Sequence, residues 1–227
     1  MIEQNLNKVE EKITEICQKV GRKRSEITLI GVSKTQSIEI IKDSLAAGLK
    51  NLGENKAQEL KTKAEQINGD FRWHFIGHLQ TNKVKYIIQH ADYIHSVDST
   101  NLADEINRKA MQINKKQNVL LEIKTSNEIS KHGLQSEKGI FELAHYCIQS
   151  SNLKLIGLMT MAPYTDNFEI IRECFVKLRR LKESLNNSGF KLNELSMGMT
   201  NDFDIAIEEG ATMLRIGTAI FGDGIYQ

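Results

Sequence analysis

Lys34 closes a short run, Ile27-Thr28-Leu29-Ile30-Gly31-Val32-Ser33, whose β-branched and aliphatic residues suit a buried strand better than a helix. Ser33, Thr35 and Ser37 mark the change from strand to helix. The amine therefore stands at the carboxyl-terminal lip of a core strand, the edge at which parallel α/β folds place their chemistry. Spacing alone does not make it functional, because a lysine just past a strand is ordinarily a solvated one.

Two later groups give it something to act with. Ser196-Met197-Gly198-Met199 and Gly217-Thr218 combine hydroxyls with glycines whose backbone N–H groups can approach an anion closely. In barrels, the loops after the seventh and eighth strands commonly seat a phosphate. A lysine beside a phosphate seat points to carbonyl chemistry, since a desolvated amine near a cation loses its proton readily and condenses with an aldehyde or ketone. Two ligand classes fit. One is the phosphorylated sugar of a lysine-dependent aldolase. The other is pyridoxal 5′-phosphate, whose aldehyde and phosphate lie on opposite sides of its ring. Arg215 favours the second. If the last strand alternates, Arg215 and Gly217 share a face, and a donor-only guanidinium against a pyridine nitrogen would keep that nitrogen unprotonated. Pairing of Arg215 with a carboxylate elsewhere on the barrel fits the strand pattern equally well.

The elements that must position these residues alternate along the chain. Apolar residues at steps of three and four over residues 2–20 predict a long first helix, ended by Gly21. Strands are predicted at Leu49–Gly53, Phe71–Ile76, Tyr93–Val97, Val119–Ile123, Leu153–Met159, Glu194–Met197 and Met213–Ile216, all but the last followed by a helical pattern. With the strand that precedes Lys34 this makes about eight strand–helix units, the number a (β/α)8 TIM barrel requires. The chain of 227 residues shows no compositional break and carries a single proline, Pro163. The expectation is one α/β domain over 1–227, with the helix of residues 1–21 packed outside the barrel. A doubly wound open sheet is the alternative, but Ser33-Lys34-Thr35 stands where a glycine-rich dinucleotide turn would be.

Composition narrows the function classes. Thirty basic residues nearly balance 29 acidic ones, which leaves no footprint for nucleic acid or a membrane surface. No apolar run reaches the length of a membrane span, and the first residues lack the pattern of a secretion signal. The three cysteines, Cys17, Cys147 and Cys174, lie far apart within apolar helical patterns and predict buried thiols in a reducing cytoplasm. The six histidines are scattered with no short-range ligand pair, so the spacing predicts no metal site.

At this point the chain resembles the pyridoxal phosphate homeostasis proteins, a family similar in turn to the barrel domain of bacterial alanine racemase. The matching segments are Val32-Ser33-Lys34-Thr35, Gly53-Glu54-Asn55 with Gln58-Glu59, Trp73–Gly77 through Gln80, His95-Ser96-Val97-Asp98, Ser130-Lys131 with Gly133, Gly157-Leu158-Met159, Leu195–Met199 with Asp202, and Arg215–Gly222. The resemblance implies that Lys34 holds pyridoxal 5′-phosphate as an internal aldimine. It further implies that Ser196, Gly217 and Thr218 hold the phosphate, that Arg215 faces the ring nitrogen and that Asn55 lies beside the ring. Relatives often carry a lysine and a proline where this chain has Gln36 and Ser37, and some carry a proline where it has His78. His78 is expected to be a hydrogen-bonding spacer, and the Ser130–Gly133 loop a solvated one.

Alanine racemases resemble the chain only over the barrel, and the sequence stops as that barrel closes. Racemisation needs a base on each face of a stabilised carbanion. Lys34 serves one face, no residue stands out for the other, and the Arg215 argument weakens the electron sink. The leading expectation is a monomeric, non-enzymatic binder with no catalytic residue, which stores pyridoxal phosphate and delivers it to apo-enzymes. A weak amino-acid racemase and a lysine-dependent phospho-sugar aldolase are the alternatives.

Overall fold

The structure, a computed structural model, describes residues 1–126 and 132–222. Eight parallel strands close into a barrel in sequence order. They are β1 (Thr28–Val32), β2 (Asn51–Glu54), β3 (Arg72–Phe75), β4 (Tyr93–Val97), β5 (Gln117–Glu122), β6 (Leu153–Met159), β7 (Glu194–Ser196) and β8 (Met213–Ile216). Closure is the pairing of β8 on β1, with Ile30 opposite Arg215 and Gly31 opposite Ile216. Between the strands run α2 (Ile38–Ala46), α3 (Ala57–Ala64), α4 (Val84–Ile87), α5 (Thr100–Gln112), α6 (Glu137–Gln149), α7 (Phe168–Asn187) and α8 (Phe203–Glu208). A first helix, α1 (Ile2–Lys19), precedes the barrel and a short α9 (Thr218–Phe221) follows β8. The expected barrel with an added N-terminal helix is what forms. The second strand starts at Asn51 rather than Leu49, whose N–H is taken by Ser44 O at the end of α2.

Strand alternation sorts the side chains into two cores. Leu29, Leu52, Ile94, Leu121, Leu158, Leu195 and Leu214 face the helices and join the main apolar core. Ile30, Leu120, Met159 and Met213 pack together as a separate, small cluster in the barrel interior. The rest of that interior is polar, with His74, His95, Ser196 and Arg215 all buried. A barrel centre is ordinarily filled by branched aliphatics, so buried polar groups here mark a place where packing was exchanged for hydrogen bonding.

Helix α1 buries Leu6, Val9, Ile13, Ile16 and Cys17 on one face. That face lies against α8 and α9, and Asn5 Nδ2 donates to the carbonyl of Ile220 across 3.1 Å. The helix that follows the last strand is thus held from behind by the first one.

Candidate functional site

Lys34 sits two residues past β1, in a turn closed by the Gln36 N–H on the Ser33 carbonyl at 3.1 Å. Thr35 in that turn has φ +64°, a left-handed conformation that costs a residue with a Cβ about 1 kcal/mol. Buried ions hold it there. Lys63, from α3, points its ammonium at Ser33 O (2.7 Å), Glu54 Oε1 (2.7 Å) and Glu59 Oε1 (2.8 Å). Glu59 Oε1 also accepts from the Thr35 N–H at 2.9 Å, and Ser33 Oγ donates to Glu54 Oε1 at 2.7 Å. Burial pushes the Glu54 carboxyl up, against the opposing charge and hydrogen bond of Lys63. Glu59 is pushed up by burial too, yet the hydrogen bonds from Lys63 and Thr35 outweigh it and the net shift is downward. Between them these groups grip the turn on both sides of Lys34. The Lys34 side chain itself is exposed, so the amine is not desolvated in this structure.

A hydrogen-bonded chain crosses the barrel interior. Arg215 donates from Nη1 to Ser196 Oγ (2.6 Å) and from Nη2 to Thr160 O (2.8 Å). Ser196 Oγ meets His95 Nδ1 at 2.8 Å, His95 Nε2 meets His74 Nδ1 at 2.9 Å, and His74 Nε2 meets Asn51 Oδ1 at 3.1 Å. Burial lowers His74 to about 3; it also lowers His95 strongly, where any charge on His74 and the charge of Arg215 would further oppose a proton. Both rings are therefore neutral, and the proton positions follow from the ends of the chain. The Asn51 oxygen can only accept, so His74 carries its proton on Nε2. Its Nδ1 then accepts from His95 Nε2–H, and His95 Nδ1 accepts from the Ser196 hydroxyl. Every bond points the same way, from Arg215 to Asn51. Tyr93 stacks on His74 at 4.4 Å and 8°, which fixes that ring.

Two expected residues gain partners that the sequence does not show. Ser196 is fully buried and its proton is directed at His95. Thr200 meets Thr218, Oγ1 to Oγ1 at 3.2 Å. Arg215 donates hydrogen bonds to Ser196 and the Thr160 carbonyl, and the carboxyls of Asp202 and Glu122 act on it by charge. Burial lowers it to about 10, with Asp202 and Glu122 opposing, which leaves it charged at neutral pH. Gly198, at φ +94°, lets the loop after β7 turn, and a Cβ there would come within 2.6 Å of Ala206 Cβ.

The mouth also holds acceptors with no partner. Asn55 Oδ1, one residue past β2, and Glu122 Oε2, at the end of β5, are buried and unbonded. An unpaired buried acceptor costs about 1–3 kcal/mol, and a ligand group is a standard way of satisfying it. Gly77 brings the backbone after β3 so close that a Cβ would stand 2.1 Å from Asn55 O, which pins Asn55 in place. Gly217 shares the inward parity of Arg215, and a Cβ there would touch only Val32, at 3.6 Å and beyond, so its inner side is open. Burial raises Glu122 to about 7, aided by Asp98 and opposed by Arg215. An exposed amine, an open glycine, facing threonine hydroxyls, a fixed guanidinium and two unpaired acceptors suit a small, flat, phosphorylated carbonyl compound.

His78 and His132 stack over the mouth at 3.8 Å and 13°, with Asp98 Oδ2 3.9 Å from His78 Nδ1. Ser130 and Lys131 lie outside the described residues.

Residues 4–224 match the family described as alanine racemase, N-terminal domain. The chain is 44% identical over 225 residues to the pyridoxal phosphate homeostasis protein of Aquifex aeolicus, covering 98% of each chain. It is 37% identical over 234 residues to the protein of the same name from Escherichia coli, covering all of this chain and 98% of that one. Among solved structures it resembles PipY of Synechococcus elongatus with pyridoxal phosphate bound, at TM-score 0.85 and 30% identity over 98% of this chain and 100% of that one.

Proposed function

The chain belongs to the pyridoxal phosphate homeostasis proteins, and on that premise we propose that it binds pyridoxal 5′-phosphate at the carboxyl-terminal mouth of its barrel and serves to store and deliver it. Membership in this family decides between the two ligand classes that a lysine beside a phosphate seat left open. When bound, the cofactor supplies an aldehyde that an amine can take up and a ring that withdraws electrons.

Lys34 is the amine offered for covalent attachment, and the Lys63–Glu59 clamp keeps its turn rigid. Ser196, Gly217 and Thr218 would take the phosphate, with Thr200 beside Thr218, and Asn55 would bond the ring's edge. Ser196 would also orient Arg215. Arg215 would face the ring nitrogen.

That arginine carries the reading. It is held by Ser196 and Thr160 and has donors only, so a ring nitrogen set against it would have to accept and would stay unprotonated. Such a ring would withdraw electrons poorly, which supports holding and release over turnover. We take residues 1–227 to work as one unit, a monomer in the reducing cytoplasm that hands cofactor to apo-enzymes. The buried free thiols Cys17, Cys147 and Cys174 support that compartment, and among the described residues no helix is long and apolar enough to cross a membrane.

The absorption spectrum of the isolated protein tests the reading, followed by borohydride reduction and mass mapping. A visible band and an adduct on Lys34 are expected; a colourless protein that takes up no added cofactor sinks the proposal. One observation favours a second reading, weak racemisation: Glu122 is a buried carboxyl at the mouth that gains and loses a proton near neutrality. Exchange of the α-hydrogen of D- and L-amino acids with deuterium oxide separates the two. Exchange that disappears in Glu122→Gln would favour the racemase.

A further inference from the structure

Three side chains that the proposed cofactor site does not use converge on its rim. His78 follows β3, Asp98 follows β4 and His132 lies in the connection from β5 to α6, so three neighbouring strands each send one residue to the same spot. We propose that His78, Asp98 and His132 form a binding site for a divalent transition-metal ion of the zinc type.

One ligand atom from each residue lies within 4.8 Å of the other two. The two imidazoles stack face to face at 3.8 Å and 13°. Asp98 Oδ2 stands 3.9 Å from His78 Nδ1, too far for a hydrogen bond, and no hydrogen bond among the described residues occupies either ring's nitrogens. The donors are thus gathered but not spent on one another. Tetrahedral bonds of about 2.0–2.2 Å place donor atoms roughly 3.3–3.6 Å apart. Closing the present spread to that distance calls for rotation of the two exposed histidine side chains, which would part the stacked rings so that a nitrogen of each turns toward the ion.

The donor set names the class of ion. Two imidazole nitrogens and one carboxylate oxygen suit zinc, cobalt, nickel or copper, whereas magnesium and calcium favour all-oxygen sets. Three protein ligands leave at least one position for water or another small ligand. An open depression lined by His78, Gln80, Thr81, Asn82, Asp98 and Ser99 gives the ion a way in from solvent. The ligands are 20 and 34 positions apart, counting 78 to 98 and 98 to 132, and only closure of the barrel brings them together. This is why the expectation of no metal site, which rested on short spacings, could not register them.

The test is zinc titration of the purified full chain against a chromophoric chelator, with and without pyridoxal phosphate. One zinc per chain is expected in both states, and His78→Ala and His132→Ala should each weaken it at least roughly tenfold. His145→Ala, on α6, is the control that should leave affinity unchanged. Cobalt added in place of zinc should give visible bands that vanish in the two variants. The proposal is overturned if the wild-type protein fails to compete with the chelator, or if the His78→Ala/His132→Ala double variant binds zinc as tightly as the wild type. Neither outcome bears on cofactor binding, which is read separately from the pyridoxal absorption.

Discussion

Lys63 donates to the backbone carbonyl of Ser33 across 2.7 Å, one residue before the amine assigned to the cofactor. It is a buried lysine that reaches from helix α3 to fix a turn it does not belong to. The relationship separates two roles that a single lysine could not combine. Lys34 is exposed at the turn, while Lys63 is fully engaged in holding that turn.

Removing that support should be costly. Lys63→Met leaves Glu54 buried without its cation, and breaking a buried pair in this way costs about 3–5 kcal/mol. The urea midpoint should fall accordingly. Glu59→Gln keeps an acceptor for Thr35 N and should cost less, about 1–2 kcal/mol. If both variants melt like the wild type, the clamp does not hold the turn.

Lys34→Ala should abolish the borohydride-stabilised adduct while leaving weak, phosphate-anchored binding measurable by equilibrium dialysis. Thr200→Ala should do the reverse, weakening cofactor retention by roughly tenfold, or about 1.4 kcal/mol, while the adduct on Lys34 still forms. An adduct at full occupancy in Lys34→Ala would move the attachment point elsewhere.

His74 and His95 should each show a single protonated nitrogen, Nε2, across pH 5–8 in nitrogen-15 spectra. Their folded pKa values lie below the unfolded value, so the unfolded chain binds the extra protons first as pH falls. Each should therefore cost roughly 1.4 kcal/mol of stability per pH unit below about pH 6.5. A His95 signal from a doubly protonated ring at pH 6 would refute the directed chain.

Glu122 should act with the opposite sign. Its folded pKa of about 7 lies above the ordinary 4.5, so its protonated form stabilises the fold at low pH. That contribution should drain away as pH rises from about 4.5 to 7, by about 3 kcal/mol at most. Glu122→Gln should gain stability relative to wild type as pH is raised, measured by urea midpoints at pH 5 and pH 8. Parallel curves would show that the carboxyl is not held protonated.

What the sequence could disclose follows the reach of its patterns. The strand before Lys34, the alternation of strands and helices and the glycine turns after β7 and β8 are local, and they predicted the barrel and the lip on which the site stands. Lys63 was illegible because a lysine in the last turn of a helix is ordinarily solvated, and only tertiary packing turns this one inward. His74 and His95 looked like isolated polar residues in two strands. A signal was there, since each takes an inward slot on neighbouring strands, but pairing 21 residues apart needs the barrel to be seen. The partners of Ser196 were illegible for the same reason. Its hydroxyl type could be read from the sequence, but its bonds to His95 and Arg215 join residues 101 and 19 positions away.

Helix α1 seats α9 from behind, through its apolar face and the Asn5–Ile220 bond, and α9 opens with Thr218. Helix α1 therefore waits for a partner that is made only after the whole barrel. A nascent chain that has not yet reached α9 cannot finish this side of the pocket, so a growing polypeptide cannot complete the proposed cofactor seat until β8 and α9 have followed.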